Sequence, residues 1–236
     1  MEQLLFILIA FFASFASAVF GFGSALLVLA IGSQVLPVKE TVVLATILFT
    51  ASTLTKSLLF RASIDWKMVA LMSLACMPFA YVGAQLLAVA PAQVMKPILG
   101  LMILIYIALT LTNRLPTFRI GMRGLLIGSA IYGLTSGFLG SGNVIKVILF
   151  REMKITKDAF VGAMAATAVL SNFVKIATYA QTGLLTSNMA PIAGALVLIA
   201  GAVAFCGRLI LTRLSQDGFQ TGVHIILGIA AVSLLL

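Results

Sequence analysis

Charge is scarce in this chain, and negative charge scarcest of all. Only 9% of its 236 residues are charged, and Asp and Glu together number 6. Glu2, Glu40, Asp65, Glu152, Asp158 and Asp217 all fall at the ends of apolar runs or between them. A proton relay or cation site at membrane depth ordinarily employs a carboxylate, so neither is expected. One histidine and two cysteines are too few for a Ser-His-Asp set or a His/Cys metal cluster. The chain therefore reads as no enzyme, with no metal and no cofactor. Cys76 and Cys206 lie inside apolar runs, where a small hydrophobe is the expected role. His224 reads as a hydrogen-bonded structural residue.

What remains is apolar. Hydrophobic residues make up 62% of the chain, with a mean hydropathy of +1.20. No soluble core absorbs that much apolar surface, so an integral membrane protein is expected. The runs are long and unbroken, which favours helices over the alternating short strands of a barrel. A net charge of +9 would suggest nucleic acid in a soluble protein. Here the basic residues sit between apolar segments and set topology instead, so nucleic acid is not an expected partner. The start, Met1-Glu2-Gln3, lacks the basic region of a signal peptide and reads as retained.

Eight apolar segments follow in order: Leu4–Gln34, Val38–Phe60, Met68–Leu87, Val94–Leu111, Gly124–Phe150, Ala159–Ala180, Met189–Leu211 and Gln220–Leu236. Pro37 marks a helix start, Pro91 marks a turn, and Trp66, between Asp65 and Lys67, reads as an interfacial anchor. Asn113–Arg123, with Pro116, Arg114, Arg119 and Arg123, is the charge-rich connection between two halves. The expected repeats are 1–112 and 124–236, joined by a cytoplasmic connection at 113–123.

The fifth segment holds Ser136–Lys146, reading SGFLGSGNVIK. Each glycine costs about 1 kcal/mol against alanine inside a helix, so Gly137, Gly140 and Gly142 predict a break. Ser141 and Asn143 are suitable N-caps for the helix that restarts. The first segment has its own interruption at Gly21-Phe22-Gly23-Ser24. Laying Gly140 on Gly21 also puts Ser136 on Ser17, Gly142 on Gly23 and Asn143 on Ser24. Downstream, Ser171, Asn172 and Lys175 then fall on Ser52, Thr53 and Lys56. Paired interruptions in matching places of two halves point to a transporter binding site.

Charge counting favours segments that turn back at those glycines. With eight simple crossings the basic residues choose no side. With hairpins at segments 1 and 5, all of the 15 Lys and Arg residues except Lys39, Lys96 and Lys175 share one side, a strong positive-inside bias. Each half is then a glycine-broken hairpin plus three crossings. The second half is inverted relative to the first, and both termini lie outside. The expected fold is thus an all-α integral membrane protein of two inverted repeats. Its glycine loops enter from opposite faces.

A helix restarting at each break offers free N–H groups and the positive end of its dipole to an anion. Gly21, Gly23, Ser24, Gly140, Ser141, Gly142 and Asn143 are the candidate binding residues, unless the glycines serve only for close helix packing. Lys146, a turn beyond Gly142, either holds the anion or snorkels to the interface. Lys56 and Lys175 end matching Ser-x-x-x-Lys patterns with the same alternatives, Lys175 being the better ligand candidate.

The Gly-x-Gly breaks, each followed by a helix starting Lys-Glu or Lys-Asp (Lys39-Glu40, Lys157-Asp158), resemble the sulfite exporter TauE/SafE family. The resemblance covers the whole chain. It implies transport of sulfite, sulfoacetate or related sulfonates across the bacterial inner membrane, with Gly21, Gly23, Gly140, Gly142 and Asn143 at the site. The chain departs from that family in having Ser24-Ala25 where more glycine is usual, and in lacking a proline in the helix after each break. A secondary carrier for a small anion is the expected function. A passive anion channel and a membrane assembly partner without cargo are the alternatives. The expected partners are the anion, the lipid bilayer and, in a homo-oligomer, further copies of the chain.

Overall fold

A computed structural model describes residues 2–20, 24–111, 121–151 and 157–211. Every regular element among them is helical: α1 (Glu2–Phe20), α2 (Ser24–Val35), α3 (Val38–Leu59), α4 (Trp66–Val89), α5 (Ala92–Leu111), α6 (Met122–Leu139), α7 (Asn143–Arg151), α8 (Lys157–Gln181) and α9 (Ala190–Leu211). Single 3₁₀ turns stand at Arg61–Ser63 and Ser187–Met189. The first seven apolar segments each correspond to one helix or a broken pair. The eighth, Gln220–Leu236 with His224, lies outside the described residues. So do Gly21, Gly23 and most of the connection between the halves.

Local chemistry sets the boundaries. Asp65 accepts hydrogen bonds from the backbone N–H groups of Lys67 (3.1 Å) and Met68 (3.2 Å), capping α4. Pro37 precedes α3 and Pro91 precedes α5. Helices α3, α4 and α8 (from Asp158) are long and apolar enough to cross a membrane. By contrast α2 and α7, at 12 and 9 residues, fall short of the roughly 20 a crossing needs.

The helices condense into two compact units whose pieces alternate along the chain. The first comprises Met1–Ser52, Pro91–Arg114 and Thr186–Leu236. Within it α1 packs against α2 and α9, and α2 against α5. Gly32 of α2 lies so close to α1 that a Cβ there would stand 2.7 Å from the Phe6 ring. Phe6 and Gly32 flank the glycine interruption on either side, so α2 folds back along α1.

The second unit comprises Thr53–Ala90 and Leu115–Leu185. Its spine is the pair α4–α6, whose backbones touch. A Cβ at Gly133 would strike the Cys76 carbonyl, one at Gly137 the Ala80 carbonyl, and one at Gly83 the Leu134 carbonyl. This is the close approach that small residues permit between membrane helices. It corrects the reading of Gly137 as part of the break: Gly137 lies inside α6 and serves packing. The break itself is Gly140–Gly142. There Gly140 takes a left-handed conformation (φ 81°) that ends α6. Beyond it α7 doubles back, so that Leu149 reaches Gly128 (2.5 Å to a built Cβ). Leu149 and Phe150 then join Leu125, Ile64, Val69 and Met72 in one apolar cluster.

Candidate functional site

The second unit buries two lysines. Lys146 on α7 and Lys175 on α8 are each 1% exposed. Neither has a described carboxylate for a partner, and they differ in kind.

Lys175 faces the C-terminal end of α6. Its Nζ donates toward Ser136 Oγ (3.0 Å), the Gly140 carbonyl (3.3 Å) and the Ser136 carbonyl (3.4 Å). One turn further along α8, the Tyr179 hydroxyl donates to the Gly137 carbonyl at 2.8 Å. A helix leaves its last carbonyls without intrahelical partners, and its C-terminus favours a cation. Lys175 and Tyr179 meet both needs. Three acceptors occupy the three hydrogens of the Lys175 ammonium.

Lys146 is less fully engaged. Its Nζ donates to the Met164 carbonyl at 2.7 Å and sits 4.6 Å from the centroid of the Tyr132 ring. An ammonium has three donors, so this one has capacity left. Lys175 lies within electrostatic range and adds repulsion. Of the described acidic residues, Glu2, Asp65 and Asp158 are exposed and Glu40 opens α3 in the other unit. Burial of such a charge without a counter-charge is expensive.

Around the pair stand more polar groups. Ser171 on α8 is fully buried. Tyr132 and the buried Cys76 are its polar neighbours. Cys76, expected as a plain hydrophobe, thus belongs to a polar cluster.

The break completes the site. Gly142 packs on α6, where a Cβ would meet the Tyr132 ring and Thr135 Oγ1 at 2.8 Å. The Gly142 carbonyl accepts from the Ile145 N–H at 3.0 Å, opening α7. Ser141 Oγ makes a long contact of 3.5 Å with the Asn143 N–H. Asn143, expected as a possible cap, is instead the first residue of α7 and half-buried. Its position leaves the N-terminal N–H groups of α7 about one turn from Lys146.

A family model described as "Sulfite exporter TauE/SafE" matches residues 6–234. The chain belongs to that family. No curated protein and no solved structure matches it significantly. Membership of a membrane transporter family, with three helices suited to crossing, makes this a membrane protein.

Within this TauE/SafE chain, the structure gathers Gly140, Ser141, Gly142, Asn143, Lys146 and Lys175 in the second unit. Ser24 opens α2 in the first. Lys146 is buried against the Met164 carbonyl rather than exposed on the surface of its unit. Sequence reading missed Tyr132 and Tyr179. Their signal was spacing: Thr167, Ser171, Lys175 and Tyr179 recur every fourth residue and are all buried, a polar stripe along one face of α8. Ser129, Tyr132 and Ser136 form its counterpart on α6.

Proposed function

We propose that this TauE/SafE member is a secondary carrier for a small anion such as sulfite, sulfoacetate or another organosulfonate. One observation carries the reading: Lys146 is buried with spare donors, a second lysine nearby and no described carboxylate against it. An anion supplies the missing counter-charge. In this reading Lys146 is the principal ligand, assisted by the N–H groups at the start of α7 near Asn143. Lys175 holds the end of α6 in place and adds to the positive potential. Gly140 and Gly142 let the chain turn and let α7 approach α6. Gly21, Gly23 and Ser24 play the matching part in the first half. We read the halves 1–112 and 124–236 as inverted repeats in a bacterial inner membrane, both termini outside. Inverted repeats suit a carrier that rocks about a central site.

Counterflow in proteoliposomes tests the proposal. Preloaded sulfite should accelerate uptake of labelled sulfite, and the rate should saturate. Voltage-driven current without saturation would replace the carrier with a channel. Absence of both would leave a membrane partner without cargo.

A further inference from the structure

We infer, resting on the anion site just proposed, that the cargo enters this site together with a proton, which Lys146 takes up. The titratable groups facing the Lys146 ammonium are Tyr132 of α6, whose ring centroid is 4.6 Å away, Cys76 of α4 and Lys175 of α8. The phenol and the thiol are neutral in their ordinary forms, and the second lysine repels. No described residue of this unit adds a carboxylate to the interior, since Asp65 and Asp158 are exposed. An ammonium buried in such company is expensive. A neutral amine is not, and it still has an N–H for the Met164 carbonyl at 2.7 Å. Letting the proton go to water therefore breaks no contact. An arriving anion reverses the balance, because beside an ammonium it is paired and beside an amine it is not. Loading then adds one charge of each sign and leaves the net charge of the cluster as it was.

Lys175 plays no part in this exchange. Its ammonium is held by Ser136 Oγ and by the carbonyls of Ser136 and Gly140, at a helix end that favours a cation. It stays charged whether the site is empty or full. A singly charged cargo that travels with a proton moves no net charge across the membrane. A pH gradient then drives its accumulation, and a membrane potential does not.

Methanesulfonate is the probe, because it carries no proton of its own in ordinary buffers and any proton taken up belongs to the protein. It is titrated calorimetrically into the purified full chain in detergent, in pairs of buffers that differ in their heat of ionisation. In mildly alkaline buffer about one proton should be taken up with each anion, and the affinity should fall roughly tenfold for each further pH unit. Lys146→Arg supplies a cation that keeps its proton at every pH tested. Its binding of methanesulfonate should proceed without proton uptake and be indifferent to pH. Cys76→Ala should leave the proton count of the natural chain unchanged. Loss of the proton in Cys76→Ala would overturn the assignment to Lys146. Binding to the natural chain without proton uptake, at an affinity indifferent to pH, would overturn the coupling while leaving the anion site intact. Failure of methanesulfonate to bind at any pH would overturn the anion site as well.

Discussion

Lys175 Nζ lies 3.3 Å from the Gly140 carbonyl oxygen, a residue 35 positions earlier in the chain. The contact ties α8 to the point where α6 stops. It makes one buried cation part of the architecture and sets it apart from Lys146, whose donors are only partly used.

That difference predicts opposite outcomes for two similar substitutions. Lys146→Met removes a buried charge whose isolation opposes folding. The thermal midpoint of the ligand-free protein should hold or rise, while sulfite binding falls by at least roughly tenfold. A large loss of stability with sulfite affinity intact would make Lys146 a structural cation.

Lys175→Met should behave the other way. It strips the ammonium from the Ser136 and Gly140 carbonyls, and each buried group left unsatisfied costs about 1–3 kcal/mol. Tyr179→Phe removes the hydroxyl that reaches Gly137 and should cost about 1 kcal/mol. Thermal unfolding in detergent measures both. Unchanged stability in Lys175→Met would show that the α6 end needs no cation.

The glycines divide by what a methyl group would meet. Gly133→Ala drives a Cβ into the Cys76 carbonyl and should lower stability by about 1–3 kcal/mol or more, as overpacking does. Gly142→Ala pushes on the Tyr132 ring, displacing the face that holds Lys146, so sulfite affinity should fall together with stability. Gly194 has nothing within 4 Å of its Cβ position, and Gly194→Ala should be neutral or stabilising by up to about 1 kcal/mol. A folded, fully stable Gly133→Ala protein would refute the backbone contact between α4 and α6.

Topology has its own check. Reporter fusions at Leu236 and within Leu115–Phe118 should report opposite sides of the membrane, with Leu236 outside. A cytoplasmic C-terminus, on the same side as Leu115–Phe118, would rule out the paired-hairpin arrangement, because the second half would then cross an even number of times in place of three.

Much of the fold was legible because its signals are local. Apolar runs of helical length located the helices, and Pro37 and Pro91 marked boundaries that the structure keeps. The interruption near Gly140 showed through because glycines inside a helix are costly wherever the chain lies. The same local rule misjudged Gly137. A glycine inserted for close packing and one inserted for a turn look alike in sequence, and only the facing Ala80 backbone separates them.

Composition and the glycine motifs by themselves determined that this is a helical membrane chain of the TauE/SafE family, short of carboxylates and holding lysines in apolar segments. Those properties depend on residue type and near-neighbour spacing. Tertiary structure alone decided which lysine is saturated and which is not. Lys175 meets acceptors 35 and 39 positions away and Lys146 one only 18 away. Such partners are chosen by how α6, α7 and α8 pack, and a buried ammonium takes its character from the acceptors that packing brings within reach.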